Sequence, residues 1–188
     1  MITRQQAWEL LNAHMKNQNL VRHCLSVEAV MKALAKHFDE DETLWGIVGL
    51  LHDGDYEEVK ATPALHTIKM SEWLKEMGET DERLLSAILS HNFAHTGQNQ
   101  PKNNLEWSLY CCDELTGLIV AVALVRPEKK LSSVSLDSIM DKWNKPKFAG
   151  GVSRDQIAKC EEKLNIKLDD FISTALKAMQ NISFDLGL

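Results

Sequence analysis

The sequence predicts an all-α fold, a helical bundle with a C-terminal helical extension. Three observations carry that expectation. Apolar residues recur every three to four positions along most of the chain, the period of a helix with one buried face. Helix-starting signatures stand just before those stretches. No segment shows the strict alternation of a half-buried strand.

Taken in order, Thr3 followed by Gln6 reads as a capping box opening a helix through about Met15. From Val21 to Phe38 the residues His23, Val27, Val30, Met31, Leu34 and Phe38 share one face, so His23 lies on the inward stripe. A third helix begins near Asp41 and carries Leu44, Ile47, Val48 and Leu51 into His52. Thr62-Pro63 predicts a helix start with proline at its first position, running to about Met77 and stopped by Gly78. Thr80-Asp81-Glu82 opens the next helix, which carries Leu84, Leu85, Ile88 and His91. "HTGQNQPKNN" is a loop by composition, and Leu105 to Val125 is a long apolar helix stopped by Pro127. Ser153 with Gln156 reads as a second capping box, and Leu168 to Ile182 as a closing amphipathic helix. The division expected is a single domain over 1–188, with a main body to about residue 125 and the extension from about 126 to 188.

With 188 residues the chain is long enough to bury a real core, and 44% apolar with 26% charged residues is ordinary for a globular protein. A net charge of -6 argues against a nucleic-acid polymer as partner, because phosphate-backbone binding needs a basic surface. It leaves room for a small anionic substrate met by a local basic patch. The N-terminal stretch lacks the apolar segment of a signal peptide. The longest unbroken apolar run, "LTGLIVAVALV", is about half of the ~20 residues a membrane span needs. Four cysteines without a CxxC spacing fit a reduced, cytoplasmic setting with no membrane involvement. Oligomeric state is not readable.

The chemistry gathers in "LLHDGDYEE". A histidine and an aspartate at the end of an apolar run must be paired, because bare burial of such groups costs several kcal/mol. His23, His52, Asp53, His66, His91 and Asp113 all fall on apolar faces or at helix ends. Facing helices of a bundle that turn histidine and carboxylate side chains inward are one way to build a metal site, and a divalent cation would satisfy them all. His52 and Asp53 converge only if the helix ends there, and Gly54 suits that break. A ligand set of imidazole and carboxylate without thiolate suits Mn, Fe, Co, Ni, Zn or Mg alike. His14, His37 and His95 read as solvated, Cys111 and Cys112 as core packing, and Trp143 as an anchor that also has a stacking surface among lysines.

The order His23, His52-Asp53, Asp113 on helices resembles the HD superfamily of metal-dependent phosphohydrolases. "LLHDGDYEE", "CCDELTGLIVAVALVRPEKK" and "KPKFAGGVSR" extend the likeness to a small bacterial and archaeal branch of it. The resemblance implies that His23, His52, Asp53 and Asp113 bind a first metal. His66 and His91 stand where two-metal members carry further ligands, with Asp53 bridging. The implied activity is hydrolysis of a small phosphoester, a nucleotide, phosphomonoester or phosphodiester, with metal-activated water as nucleophile. Asp55 and Glu57 are candidates for handling the proton or for supporting a ligand. Lys145, Lys147 and Arg154, in a basic segment ending at the helix start at Ser153, are candidates to contact phosphate, as is Arg22 beside His23. Two alternatives stay open: a diiron oxygenase on the same platform, and a non-catalytic sensing or interaction module stabilised by its metal.

Overall fold

Thr3 starts the first helix as its sequence predicts. Its hydroxyl accepts the Gln6 backbone N–H while the Gln6 side chain takes the Thr3 N–H, closing the capping box over α1 (Arg4–His14). In the computed structural model, which describes residues 1–188, all regular structure is helical. Asn17 caps α2 (Gln18–His37), and Asp41 caps α3 (Glu42–Leu51) by accepting the Thr43 and Leu44 N–H groups. Next come the one-turn helix α4 (Tyr56–Val59), a 3-10 turn at Pro63–Leu65, α5 (Ile68–Glu76) and α6 (Glu82–His91). Then follow α7 (Phe93–Thr96), the central α8 (Asn104–Leu124), a second 3-10 turn at Leu131–Ser133 and α9 (Leu136–Trp143). The chain closes with α10 (Arg154–Leu164), α11 (Leu168–Asn181) and α12 (Ser183–Leu186).

Helix α3 is apolar on every side because α1, α2, α6 and α8 all pack against it. Its tightest neighbour is α2. A Cβ added at Gly49 would stand 2.8 Å from the Val27 carbonyl oxygen and 2.9 Å from the Glu28 nitrogen. Backbone cannot yield as a side-chain tip does, so Gly49→Ala is expected to lower stability by about 1–3 kcal/mol through overpacking. Thermal denaturation checks this, and an unchanged melting temperature would show that α2 and α3 separate freely.

The 18 most apolar residues of α8 pass the length and hydropathy of a membrane span, yet 61% of them are buried inside the fold. Helices α2, α6, α10 and α11 surround it, which makes it a core helix. One apolar cluster runs from Ile2 to Leu186, through the main body and the C-terminal helices.

Two local expectations are corrected. The helix predicted from Pro63 to Met77 breaks after Leu65, and Thr67 takes a φ of 70°. The reason is a cap from outside the segment. Asp55 Oδ2 accepts the Met70 N–H at 3.0 Å, so a distant buried carboxylate starts α5 and Thr62 caps nothing. The Ser153 box closes only halfway: its hydroxyl accepts the Gln156 N–H, while its own N–H goes to Glu114 Oε2 at 3.0 Å.

Candidate metal centre

The fold brings six side chains from separate elements to one place. His23 comes from the second turn of α2, His52 caps the end of α3, and Asp53 follows in the turn. His66 leaves the 3-10 turn, His91 is the last residue of α6, and Asp113 projects from the middle of α8. Gly54 serves this turn by its size. A Cβ there would meet the Met70 sulfur at 2.8 Å, so the glycine lets the turn sit on α5, and its φ is not left-handed.

Asp53 stands between two pairs of imidazoles. Its Oδ1 lies 3.2 Å from both His66 Nε2 and His91 Nε2, and its Oδ2 lies 3.7 Å from both His23 Nε2 and His52 Nε2. Asp113 Oδ1 adds contacts of 2.9 Å to His23 and 3.5 Å to His52. Two overlapping groups, His23–His52–Asp113 and His52–Asp53–His91, have donor atoms all within 4.8 Å of one another and can hold a metal ion.

The chain sets the imidazole tautomers. His52 Nδ1 donates to the Gly49 carbonyl at 2.8 Å, and His66 Nδ1 donates to Asp55 Oδ1 at 2.7 Å. The Thr116 hydroxyl gives its hydrogen to the Asp113 carbonyl, leaving its oxygen to accept from His23 Nδ1 at 3.2 Å. With Nδ1 so occupied, each Nε2 turns its lone pair to the centre, the arrangement that orients a histidine for metal. His91 differs, since its Nδ1 is buried without a partner.

His23 Nε2 and His52 Nε2 stand 3.2 Å apart, and two lone pairs facing at that distance repel unless a proton or a cation lies between them. Two nitrogens on one ion at about 2.0–2.1 Å are roughly 3.3 Å apart, so the spacing fits a shared metal. Charge tells the same story. Burial opposes a charged His23, but its bond to Asp113 and the charges of Asp113, Asp53 and Glu114 raise it to about 9. Burial likewise opposes His66, which Asp53 and Asp55 raise to about 9. Burial penalises the Asp53 and Asp113 carboxylates, yet the surrounding imidazoles hold both well below the usual range. Strongly anionic carboxylates among proton-holding imidazoles make a place where a divalent cation replaces the protons.

A family model described as HD domain matches residues 20–134, more than half of the chain, from just before His23 to beyond Asp113. The chain belongs to the HD domain family. That is a family of metal-dependent hydrolases, and the converging histidines and aspartates lie inside the matched span. No curated protein and no solved structure matches the chain.

The other candidates of this HD domain chain fall elsewhere. Asp55 is fully buried with its oxygens on His66 Nδ1 and Met70 N–H and does not line the cavity beside the centre, so it orients the His66 ring and is not the exposed proton acceptor the sequence suggests. Glu57 turns away and accepts the Lys16 and Asn17 N–H groups, pinning the α1–α2 connection. Arg154 donates to the carbonyls of Lys142, Trp143, Lys145, Phe148 and Val152 and clamps the loop before α10. Lys145 pairs with Asp141 at the surface, and Lys147 is exposed and does not line the cavity. The start of α10 already holds an anion, Glu114. Arg22 lines a different cavity of about 400 Å³, which shares only His23 with the six converging residues.

Some contributors gave little sign in the sequence. Thr116 is visible there only as a member of the α8 stripe, and Asn92 as a residue after His91. Asn92 donates to the Pro63 and His66 carbonyls and so holds the segment that presents His66. The four cysteines are buried with their thiols raised by burial, which leaves them protonated packing groups.

Proposed function

We propose that this chain is a metal-dependent phosphohydrolase acting on a small phosphoester, with one or two divalent cations held by His23, His52, Asp53, His66, His91 and Asp113. The observation that carries the reading is the placing of Asp53 between two imidazole pairs, on the wall of a cavity of about 360 Å³ that also contains His66, His91 and Asp113. That volume suits a small molecule. A divalent cation in such a site lowers the pKa of water and polarises a phosphoryl oxygen.

The chain supplies the rest. Thr116, Gly49 and Asp55 keep three imidazoles in the metal-binding tautomer. The cavity wall also includes Glu114, whose carboxyl is raised by burial and by the charge of Asp113, and whose Oε2 is taken by the Ser153 N–H. Its Oε1 makes no hydrogen bond with the protein, and in this reading it would accept a proton from water. Because His91 Nδ1 lacks an acceptor, the His66–His91 side is the weaker of the two positions.

The test is metal content by elemental mass spectrometry on protein purified without chelator or nickel resin, wild type beside Asp113→Ala, followed by a phosphoester screen with the metal found. One to two equivalents in the wild type, reduced in the variant, together with turnover of a phosphoester, is the expected result. A wild type that takes up no Mn, Mg, Zn or Fe would overturn the reading.

A further inference from the structure

The sequence places most of the cationic candidates in and just after the segment before α10, and none of Lys145, Lys147 and Arg154 lines the cavity beside the centre. The cavity beside the centre carries a different cation. Among Lys and Arg residues, Lys60 alone lines it, and Lys60 makes no ion pair or hydrogen bond with the protein. Its position follows from α4. Tyr56, Val59 and Lys60 stand at i, i+3 and i+4, share one helical face, and all three line the cavity. The intervening acids occupy the opposite face and anchor it: Glu57 on the Lys16 and Asn17 N–H groups, Glu58 on His14 Nδ1 at 2.6 Å. A helix of one turn is thereby held in an orientation that keeps Tyr56 and Lys60 on the cavity wall.

Across the cavity His95, in α7, also lines the wall, and its side chain has no hydrogen-bond partner. Either tautomer of its ring offers one N–H. Beyond the ligand-type residues and Glu114, the wall has the polar Asn92 and Gln156, the short apolar Val59, Pro63 and Ala94, and Tyr56, which is 44% exposed and meets the His66 ring at 5.8 Å between centroids. Lys60 and His95, neither paired within the protein, line the same cavity as a cluster of metal-ligand type, with an aromatic ring and short apolar side chains beside them. That is the lining expected for an anionic head and a planar or apolar remainder.

We infer that Lys60 and His95 bind the non-bridging phosphate oxygens of a phosphomonoester of about mononucleotide size, with Tyr56 against its leaving group. This rests on the hydrolase reading and narrows its substrate class. In the reaction the bond from phosphorus to the leaving oxygen breaks and a bond from phosphorus to the water oxygen forms; one water proton passes by way of the protein to the leaving oxygen, and the alcohol and inorganic phosphate leave. A monoester presents more terminal oxygens to Lys60 than a diester, so the lysine favours monoesters.

The experiment is binding of inorganic phosphate to the metal-loaded protein by calorimetry, in the wild type, Lys60→Met, Lys60→Arg and His95→Ala. Turnover of p-nitrophenyl phosphate and of bis(p-nitrophenyl) phosphate is followed beside it, with metal content measured in each. The expected result is phosphate affinity weakened about tenfold or more in Lys60→Met, the scale of a lost charge-assisted hydrogen bond. Lys60→Arg retains most of it, His95→Ala loses less, and metal content is unchanged throughout. The monoester KM rises in parallel while the diester rate changes little. Equal phosphate affinity in wild type and Lys60→Met, or no phosphate binding in the wild type, would overturn the inference. Lys60-dependent phosphate binding without turnover of any ester would sink the hydrolase reading and leave the anion site standing.

Discussion

Asp53→Ala is expected to remove metal from both sides of the centre at once and to abolish phosphoester turnover, a loss of about 10⁴-fold or more, the scale seen when one member of an interdependent catalytic unit is deleted. Asp53 is the one residue whose two oxygens face different imidazole pairs, at 3.2 Å on the His66–His91 side and 3.7 Å on the His23–His52 side. His66→Ala makes the useful contrast. It removes a donor from one side and leaves His23, His52, Asp113 and the Asp53 Oδ2 oxygen together, so it should retain one equivalent. The apolar cluster to which α2, α3, α6 and α8 contribute contains none of the six residues, so both variants are expected to fold. Circular dichroism melts of the metal-free proteins check that point. Elemental analysis checks the main one, and a full complement of metal in Asp53→Ala would remove the basis for the site.

What the sequence made legible, and what it hid, divides along a physical line. Residues on long periodic helices could be placed from spacing alone. His23 lies on the stripe of α2 and Asp113 on that of α8, and the structure turns both toward the same point. The end of an apolar run marked His52 and Asp53 equally well. Residues in short connections could not be placed, because nearness in sequence does not give the direction of a turn. Asp55 and Glu57 are two apart, yet one is buried under α5 and the other reaches back to the α1–α2 connection. The helix start at Thr62-Pro63 is a sound local signal that lost to a cap fifteen residues away from its target, Met70. Arg154 was read by its charge, and its guanidinium is spent on carbonyls that only the folded loop brings together. Lys60 gives no sign in the sequence, because a four-residue helix is too short to show a period, although Tyr56, Val59 and Lys60 have the right spacing.

Asp55 carries the most discriminating prediction, because its substitution by asparagine keeps shape while it removes the charge and changes who donates. In the native protein both carboxylate oxygens accept, Oδ1 from His66 Nδ1 at 2.7 Å and Oδ2 from the Met70 N–H at 3.0 Å. Asparagine offers one acceptor and one donor group. The Met70 N–H cannot change its role, so the amide oxygen goes there and the amide nitrogen faces the ring. His66 Nδ1 must then accept, which moves the ring proton to Nε2, the atom 3.2 Å from Asp53 Oδ1. The lone pair that would hold metal is lost while the ring stays in place. Asp55→Asn is therefore expected to weaken metal on the His66–His91 side by about 10- to 100-fold, the usual cost of removing a ligand's supporting partner. The His23–His52–Asp113 side keeps its affinity, and the melting temperature of the metal-free protein changes little. Asp55→Ala should do the same to metal and also destabilise the fold by about 1–3 kcal/mol, because the buried Met70 N–H is left unpaired. Titration against a competing chelator separates the two positions. Unchanged affinity for two equivalents in Asp55→Asn would mean that His66 does not bind metal through Nε2, and the carboxylate would then serve only as the cap that starts α5.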